Sequence, residues 1–383
     1  MRVRCSWEST RMNRPIEYMP RVNPREYLAL RASQGQSFEN VTLTFRGRDA
    51  ISLACRHFGL TRKVTALLPG YLCDTVTAAM APYCHFDFYD IEENFVVAPS
   101  VIEQHLSRQP ARVVYLIHYF GFLQPHLAEI RDICVRHGSL LWEDHAHSAL
   151  SRFSWDYADA MVFSFRKLLP IPEGGGIWIR DLAQLPELYG SVLGSDVRSL
   201  AILVKRVLCH VTPSIRDLVG KLIQSDIDSM NAGQKEILPH SISHMSRRII
   251  RDTDLATHVS IRRQQYLHWL ELLADLPLQP VFPSLPEDVC PLGFPVRIGN
   301  PVEVVRRLER FGIFLRIHWR DMPPAVEQSC PMTWRTSQSI ITLPIYPGLT
   351  LEEMHRVVRW FGVYACPMSQ SDSGTGAGTT RAT

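Results

Sequence analysis

From Arg46 to Ile179 short apolar runs alternate with segments whose apolar residues recur at helical spacing, and no other feature constrains the fold as tightly. Ile51, Ala54, Cys55 and Phe58 fall at i, i+3, i+4 and i+7, which predicts a helix over Arg48 to Phe58, ended by Gly59 in the left-handed conformation. A strand at Val64 to Leu68, a turn at Pro69 and Gly70, a helix from Asp74 to Ala81 and a strand at His85 to Tyr89 follow. Arg112 to Ile117 is almost continuously apolar, as suits a strand buried on both faces of a parallel sheet. Pro125 opens the next predicted helix, in which Leu127, Ile130, Ile133 and Cys134 make one stripe, and Gly138 closes it. Further strands are expected at Ser139 to Trp142, Met161 to Phe165 and Gly176 to Ile179. The alternation specifies an α/β fold, a mostly parallel sheet covered by helices, in which ligands bind beyond the carboxyl ends of the strands.

Asp181 to His240 reads as helical without clear alternation, and a second unit begins near Ser246. There Asn300 and Pro301 start a helix through Phe311, Gly312 stops it, and Ile313 to Ile317 reads as a strand. Thr350 and Glu353 have capping-box spacing ahead of Met354, Val357, Val358 and Phe361, which share one helical face. The expected organisation is an N-terminal segment over 1–45, a large domain over 46–245, a small C-terminal α+β domain over 246–365 and a disordered tail over 366–383.

Composition narrows the classes of function. A formal charge of +3, from 41 basic and 38 acidic residues, gives no electrostatic reason to expect a nucleic-acid partner. The nine cysteines form no C-x-x-C pair and read as free thiols in a reducing cytoplasm. No run of about 18 apolar residues is present and Met1 to Thr10 lacks the apolar core of a signal peptide, so a cytoplasmic protein without a membrane span is expected. Among the 41 cations only five are lysines, Lys63, Lys167, Lys205, Lys221 and Lys235. Chemistry that needs a titratable amine therefore has five candidates.

The informative segment is Leu140 to Ile179. Asp144 sits where a predicted strand runs out, and Ser164 and Lys167 emerge from the end of another, followed by Gly174, Gly175 and Gly176. A carboxylate, a hydroxyl and an amine thus converge on one sheet edge. Pyridoxal phosphate chemistry needs an amine to bind the cofactor aldehyde and move protons, a carboxylate to keep the pyridine nitrogen protonated, and hydroxyls with a helix N-terminus to neutralise the phosphate. The same residue types also serve as a strand-end cap and a solvated loop charge, and Glu143, Asp144, His145 and His147 are also of metal-ligating type. No third cluster with ligand spacing accompanies them, so no metal is expected.

The sequence resembles the DegT/DnrJ/EryC1/StrS sugar aminotransferases, a group of the fold type I pyridoxal phosphate enzymes. The resemblance rests on GRDAISLA (Gly47 to Ala54), HYFGFLQP (His118 to Pro125), EDHAHS (Glu143 to Ser148) and SFRKLLPIPEGGG (Ser164 to Gly176). It extends more weakly over Arg262 to Leu273 and Leu343 to Met354. It implies a fold type I aminotransferase, with a large cofactor domain and a small C-terminal domain, acting as a homodimer. Lys167 matches the lysine that holds the cofactor aldehyde, Asp144 the carboxylate paired with the pyridine nitrogen, and His147 the residue near the ring hydroxyl. Ser164 matches the phosphate serine, and Arg48 and Asp49 occupy the helix start used for the same group. Tyr71 or Cys73 lies in the loop that supplies a ring-stacking side chain.

Departures from the family pattern are visible. The spacing from that serine to the lysine is three residues here against the family's five, which makes Arg166 a candidate for a rebuilt phosphate cup. Ser243, His244, Met245 and Ser246 stand where the family has Asn-x-Arg-Met, a stretch that reaches the neighbouring subunit. His318 and Trp319 read equally as pocket lining or strand-end packing. Arg247, Arg248, Arg251, Arg262 and Arg263 read as a positive face, solvated or facing a nucleotide diphosphate. The implied activity is amino transfer from an amino acid, glutamate being the expected donor, to a keto-sugar, nucleotide-linked, in polysaccharide or secondary-metabolite biosynthesis. The alternatives are a non-catalytic or regulatory member of the fold and a pyridoxal phosphate enzyme acting on a non-sugar substrate.

Overall fold

The computed structural model describes residues 16–18, 38, 40–181, 188–189, 192–208, 238–320 and 322–364. Its elements in chain order are β1 (Ile16–Glu17), β2 (Thr42–Thr44), α1 (Gly47–His57), β3 (Thr65–Pro69), α2 (Asp74–Met80), β4 (His85–Tyr89), α3 (Pro99–Arg108), β5 (Val113–Ile117), α4 (Leu127–Arg136), β6 (Leu140–His145), β7 (Ala160–Phe163) and β8 (Gly175–Ile179). They continue with α5 (Val192–Leu208), α6 (His244–Asp252), α7 (Leu255–Leu273), β9 (Gln279–Pro280), β10 (Phe294–Arg297), α8 (Pro301–Glu309), β11 (Ile313–Phe314), α9 (Pro324–Ser329), α10 (Pro331–Ser337), β12 (Ile340–Leu343) and α11 (Leu351–Tyr364).

The large sheet has seven strands in the order β2-β8-β7-β6-β5-β3-β4. Its β4, β3, β5, β6 and β7 run parallel, and β8 and β2 close one side through antiparallel pairings. β5 is buried at every position, as its unbroken apolar run requires of a central strand covered on both faces. β5 and β6 pair from Val113↔Leu140 to Ile117↔Asp144, so the carboxyl end of β6 stands beside that of β5. A second, antiparallel sheet has the order β12-β10-β9, and β1 pairs with β11. Tyr266, Trp269, Phe294, Ile341, Met354, Val357 and Phe361 fill a separate apolar core there.

Several local expectations shift by a few residues. Gly59 and Gly138 do take positive φ, 59° and 66°, as left-handed helix ends need. Pro125 lies outside its helix, which begins at Leu127 with His126 at the N-cap. β6 runs on through Glu143 and Asp144 to His145, because the parallel pairing with β7 reaches His145↔Phe163. The strand expected over Ile313 to Ile317 is only two residues long, Arg316 making an isolated bridge to Thr342. The capping box at α11 is made both ways: Glu353 N donates to Thr350 Oγ1 at 3.2 Å and Thr350 N to Glu353 Oε2 at 3.0 Å. Of the helical stretch expected over Asp181 to His240, 209–237 lie outside the described residues, as does the tail from Met368. The positive face is corrected at one member: Arg262 is fully buried and bonds main-chain carbonyls, whereas Arg247, Arg248 and Arg251 are exposed.

Candidate active site

Asp144, next to last in β6, turns its carboxylate toward the side of the sheet that Lys167 reaches from the end of β7. Its Oδ1 accepts Ala146 N at 2.7 Å and its Oδ2 accepts the Tyr115 hydroxyl at 2.8 Å. Burial raises its pKa, against the opposing charge of Lys167 and the Ala146 and Tyr115 bonds. Lys167 ends a single 3-10 turn, Phe165–Lys167, that Ser164 starts. The residue is partly buried, and burial lowers the pKa of its amine while the Asp144 charge resists. A lysine amine held in this way gives up its proton more readily than a solvated one, which is what a nucleophile and proton carrier requires.

Aromatic groups complete the surroundings of the amine. The Trp319 ring centroid lies 5.8 Å from Lys167 Nζ. The same indole stacks on His147 at 5.1 Å and 19°, and its backbone holds φ 48°. His147 is buried, and burial followed by the Lys167 charge holds its pKa well below the usual range, so the ring is neutral. Phe120 N donates to its Nδ1 at 3.3 Å, which places the ring proton on Nε2. That Nε2 is buried and has no hydrogen-bond partner among the described residues. A buried donor without an acceptor is costly in a finished core, and an ordered water or a ligand atom supplies the acceptor in such places.

Ser164 lies against the start of α1, since a Cβ on Gly47 would stand 3.7 Å from the Ser164 Cβ. Gly175 is required by this close approach: a Cβ there would fall 2.2 Å from the Arg46 carbonyl carbon and 2.6 Å from Gly47 N. At α1 the Asp49 amide donates to the Arg46 carbonyl and its carboxylate accepts His240 N at 2.9 Å, so the Gly47 and Arg48 amides are the ones left to face an anion. Burial, then the nearby Arg48, lowers the pKa of Arg46. Arg166 is partly buried beside them, its amide directed at the Gly174 carbonyl at 3.4 Å. Glu173, fully buried, takes the Ser243 hydroxyl at 2.5 Å, so the residue in place of the family asparagine is turned into its own chain.

Tyr71 is fully buried, its hydroxyl bonded to the His318 carbonyl at 2.8 Å and its ring edge-on to Phe95, Tyr119 and Trp319. The partly buried residue of that loop is Cys73, which caps α2 and whose Sγ accepts Thr75 Oγ1 at 3.0 Å. Tyr119 also walls a cavity of about 260 Å³ shared with Phe95, Phe122, Gln124 and Phe282. The sequence weighed Trp319 evenly and missed Tyr115, whose place in an apolar strand carries no signal of its own.

On the opposite face of β6, Glu143 meets His118 and His145, the three offering ligand-type atoms within 4.8 Å of one another. This is a different set from the one the sequence brought together. Gln124 N donates to His118 Nδ1 at 3.0 Å, so Nε2 carries the proton and donates it to Glu143 Oε2 at 2.9 Å. In that tautomer His118 is a hydrogen-bond donor and has no lone pair to give. Against burial, the His118 bond and the nearby His145 bring the Glu143 pKa down to about 2, while burial, then His118, brings that of His145 down to about 4. The neutral His145 leaves a proton to the unfolded chain below pH about 6.5, so stability falls from there to about 4, by roughly 3 kcal/mol in total. The Glu143 contribution is lost in turn as pH falls from about 4.5 toward 2. Urea midpoints measured between neutrality and this acid range are expected to decline less steeply in His145→Phe than in wild type; parallel slopes would refute the assignment.

Residues 39–188 match the model of the DegT/DnrJ/EryC1/StrS aminotransferase family. The solved structures similar to the chain agree in fold. DesV of S. venezuelae, in complex with a ketimine intermediate, is 20% identical over 90% of this chain and 88% of its own, with a TM-score of 0.60. NtdA of Bacillus subtilis, with bound cofactor PMP, is 17% identical over 91% and 85%, with a TM-score of 0.61. DesI in the presence of its TDP-sugar product is 16% identical over 92% and 93%, with a TM-score of 0.65. The chain has the fold type I aminotransferase architecture, and no helix among the described residues is long and apolar enough to cross a membrane.

Proposed function

We propose that this protein is a pyridoxal phosphate-dependent aminotransferase that passes an amino group from an amino acid, with glutamate as donor, to a nucleotide-linked keto-sugar. The reading is carried by one arrangement: the partly buried Lys167 amine, the buried Asp144 carboxylate and a His147 N–H without a partner among the described residues, all on one edge of the sheet. The donor set fits the cofactor, with an amine for its aldehyde, a carboxylate for its ring nitrogen, an N–H for its ring hydroxyl, and Ser164 with the α1 N-terminus for its phosphate. When bound, pyridoxal phosphate supplies an electron sink for the carbon that loses its proton. Lys167 would hold the cofactor and, once released from it, would carry that proton on Nζ. Asp144 would accept the ring N–H and stabilise its charge, and Arg46, Arg48 and Arg166 would be the cations nearest the phosphate.

The sugar and its nucleotide are supported by the TDP-sugar product present with the similar DesI. We further assign the enzyme to the cytoplasm, as a homodimer, in polysaccharide or secondary-metabolite biosynthesis. Purified protein supplied with pyridoxal phosphate should turn yellow, lose the colour on addition of glutamate and regain it with a keto-sugar nucleotide. Protein that takes up the cofactor but keeps its colour with every amino donor sinks the transaminase reading.

A further inference from the structure

We propose that Tyr115 is a positioning residue that keeps the ring-nitrogen proton of the bound cofactor on the ring, by donating its hydroxyl hydrogen to the Asp144 carboxylate. The proposal deepens the reading above and rests on it. Tyr115 is the middle residue of β5, in VVYLI, and is fully buried. A position of this kind needs only an apolar side chain. A phenol brings a hydroxyl that must find a partner, and here the partner is the carboxylate that the cofactor nitrogen would use, at 2.8 Å. The strand that carries it is itself tied, because the Tyr89 hydroxyl donates to the Tyr115 carbonyl at 2.8 Å.

Burial opposes the Asp144 anion, and Lys167, the Ala146 amide, the Tyr115 hydroxyl and His118 favour it. Tyr115 faces Asp144, Cys55 and Cys73, and burial holds its own proton firmly, so it acts only as a donor. A proton shared between a pyridine nitrogen and a carboxylate distributes according to the basicity of each. Every donor to the carboxylate makes it the weaker base and leaves the proton on the ring. The Ala146 amide is backbone and cannot be tuned by a side chain; the Tyr115 hydroxyl is the contribution this sequence adds.

The test uses the full-length protein loaded with pyridoxal phosphate carrying nitrogen-15 in the ring, because the nitrogen chemical shift reports whether the ring holds the proton. At one neutral pH, Tyr115→Phe is expected to move the shift toward that of an unprotonated ring, by about tenfold in the proton distribution, the effect of one charge-assisted hydrogen bond. Asp144→Asn marks the far end of the scale. Fluorotyrosine introduced at position 115 keeps the shape, strengthens the donor and is expected to move the shift the other way, so a poorly folding Phe variant does not decide the matter. An unchanged shift in cofactor-loaded protein of both kinds overturns the proposal and leaves the aminotransferase reading standing. Wild-type protein that takes up no cofactor overturns both.

Discussion

Lys167→Ala is expected to remove the yellow colour of the cofactor-loaded protein and to lower amino transfer at least about a thousandfold. In the proposed reaction the residue would supply both the amine that holds the aldehyde and the group that moves the proton. Lys63 is exposed ahead of β3, and no other lysine stands at the carboxyl edge of the sheet among the described residues. The lowered pKa depends on burial, so the site cannot be rebuilt by an amine free in solvent. Absorbance spectra and turnover of purified variant and wild type check this. A variant that stays yellow, or that keeps activity within tenfold, would contradict the assignment of the amine.

The second large effect concerns stability. Arg262 is fully buried on α7, with Nη1 donating to the carbonyls of Pro291, Leu292 and Ile345 at 3.1, 3.3 and 3.0 Å and Nη2 to that of Leu168 at 2.8 Å. Leu168 follows Lys167 directly, so one guanidinium fastens the Lys167 turn to the segments leading into β10 and away from β12. Burial lowers the pKa of this arginine, and among the described residues no carboxylate pairs with it; the carbonyl dipoles hold its charge. Arg262→Met retains much of the volume but leaves those carbonyls without donors, and a loss of about 3–5 kcal/mol is expected. Arg263→Met is the control, since its guanidinium sits at the rim on the Pro286 and Val289 carbonyls, and a change within about 1 kcal/mol is expected. Urea unfolding of the two variants gives the comparison. Equal losses would mean that burial adds nothing to the Arg262 network.

The legibility of the site followed the physics of each residue. Asp144 and Lys167 could be read because strand ends of a parallel sheet share one edge, so sequence order alone brings them together. Asp49 could be placed at the start of a helix but not further, since only the structure shows its carboxylate on the His240 amide. Tyr71 was read as a stacking residue from its loop; the hydrogen bond to the His318 carbonyl commits it to the core instead. His145 and His147 are two residues apart, yet lie on opposite sides of the site, one against Glu143 and the other against Trp319. An i, i+2 spacing suggests a common face on a strand, but β6 ends at His145 and the chain turns there.

By itself the sequence determined the sheet, because apolar runs and helical stripes are local patterns, and it narrowed the candidate amine to Lys167, because lysines are scarce and only this one follows a strand end ahead of a glycine run. Tertiary structure alone decided the partners. Tyr115 reaches Asp144 through the pairing of β5 with β6, and Trp319 reaches Lys167 from a loop 152 positions further along the chain, so neither contact has a local signature. Arg262 shows the same division: its charge suggested a solvated face, and only the carbonyls gathered around it from distant segments make burial of that charge stable.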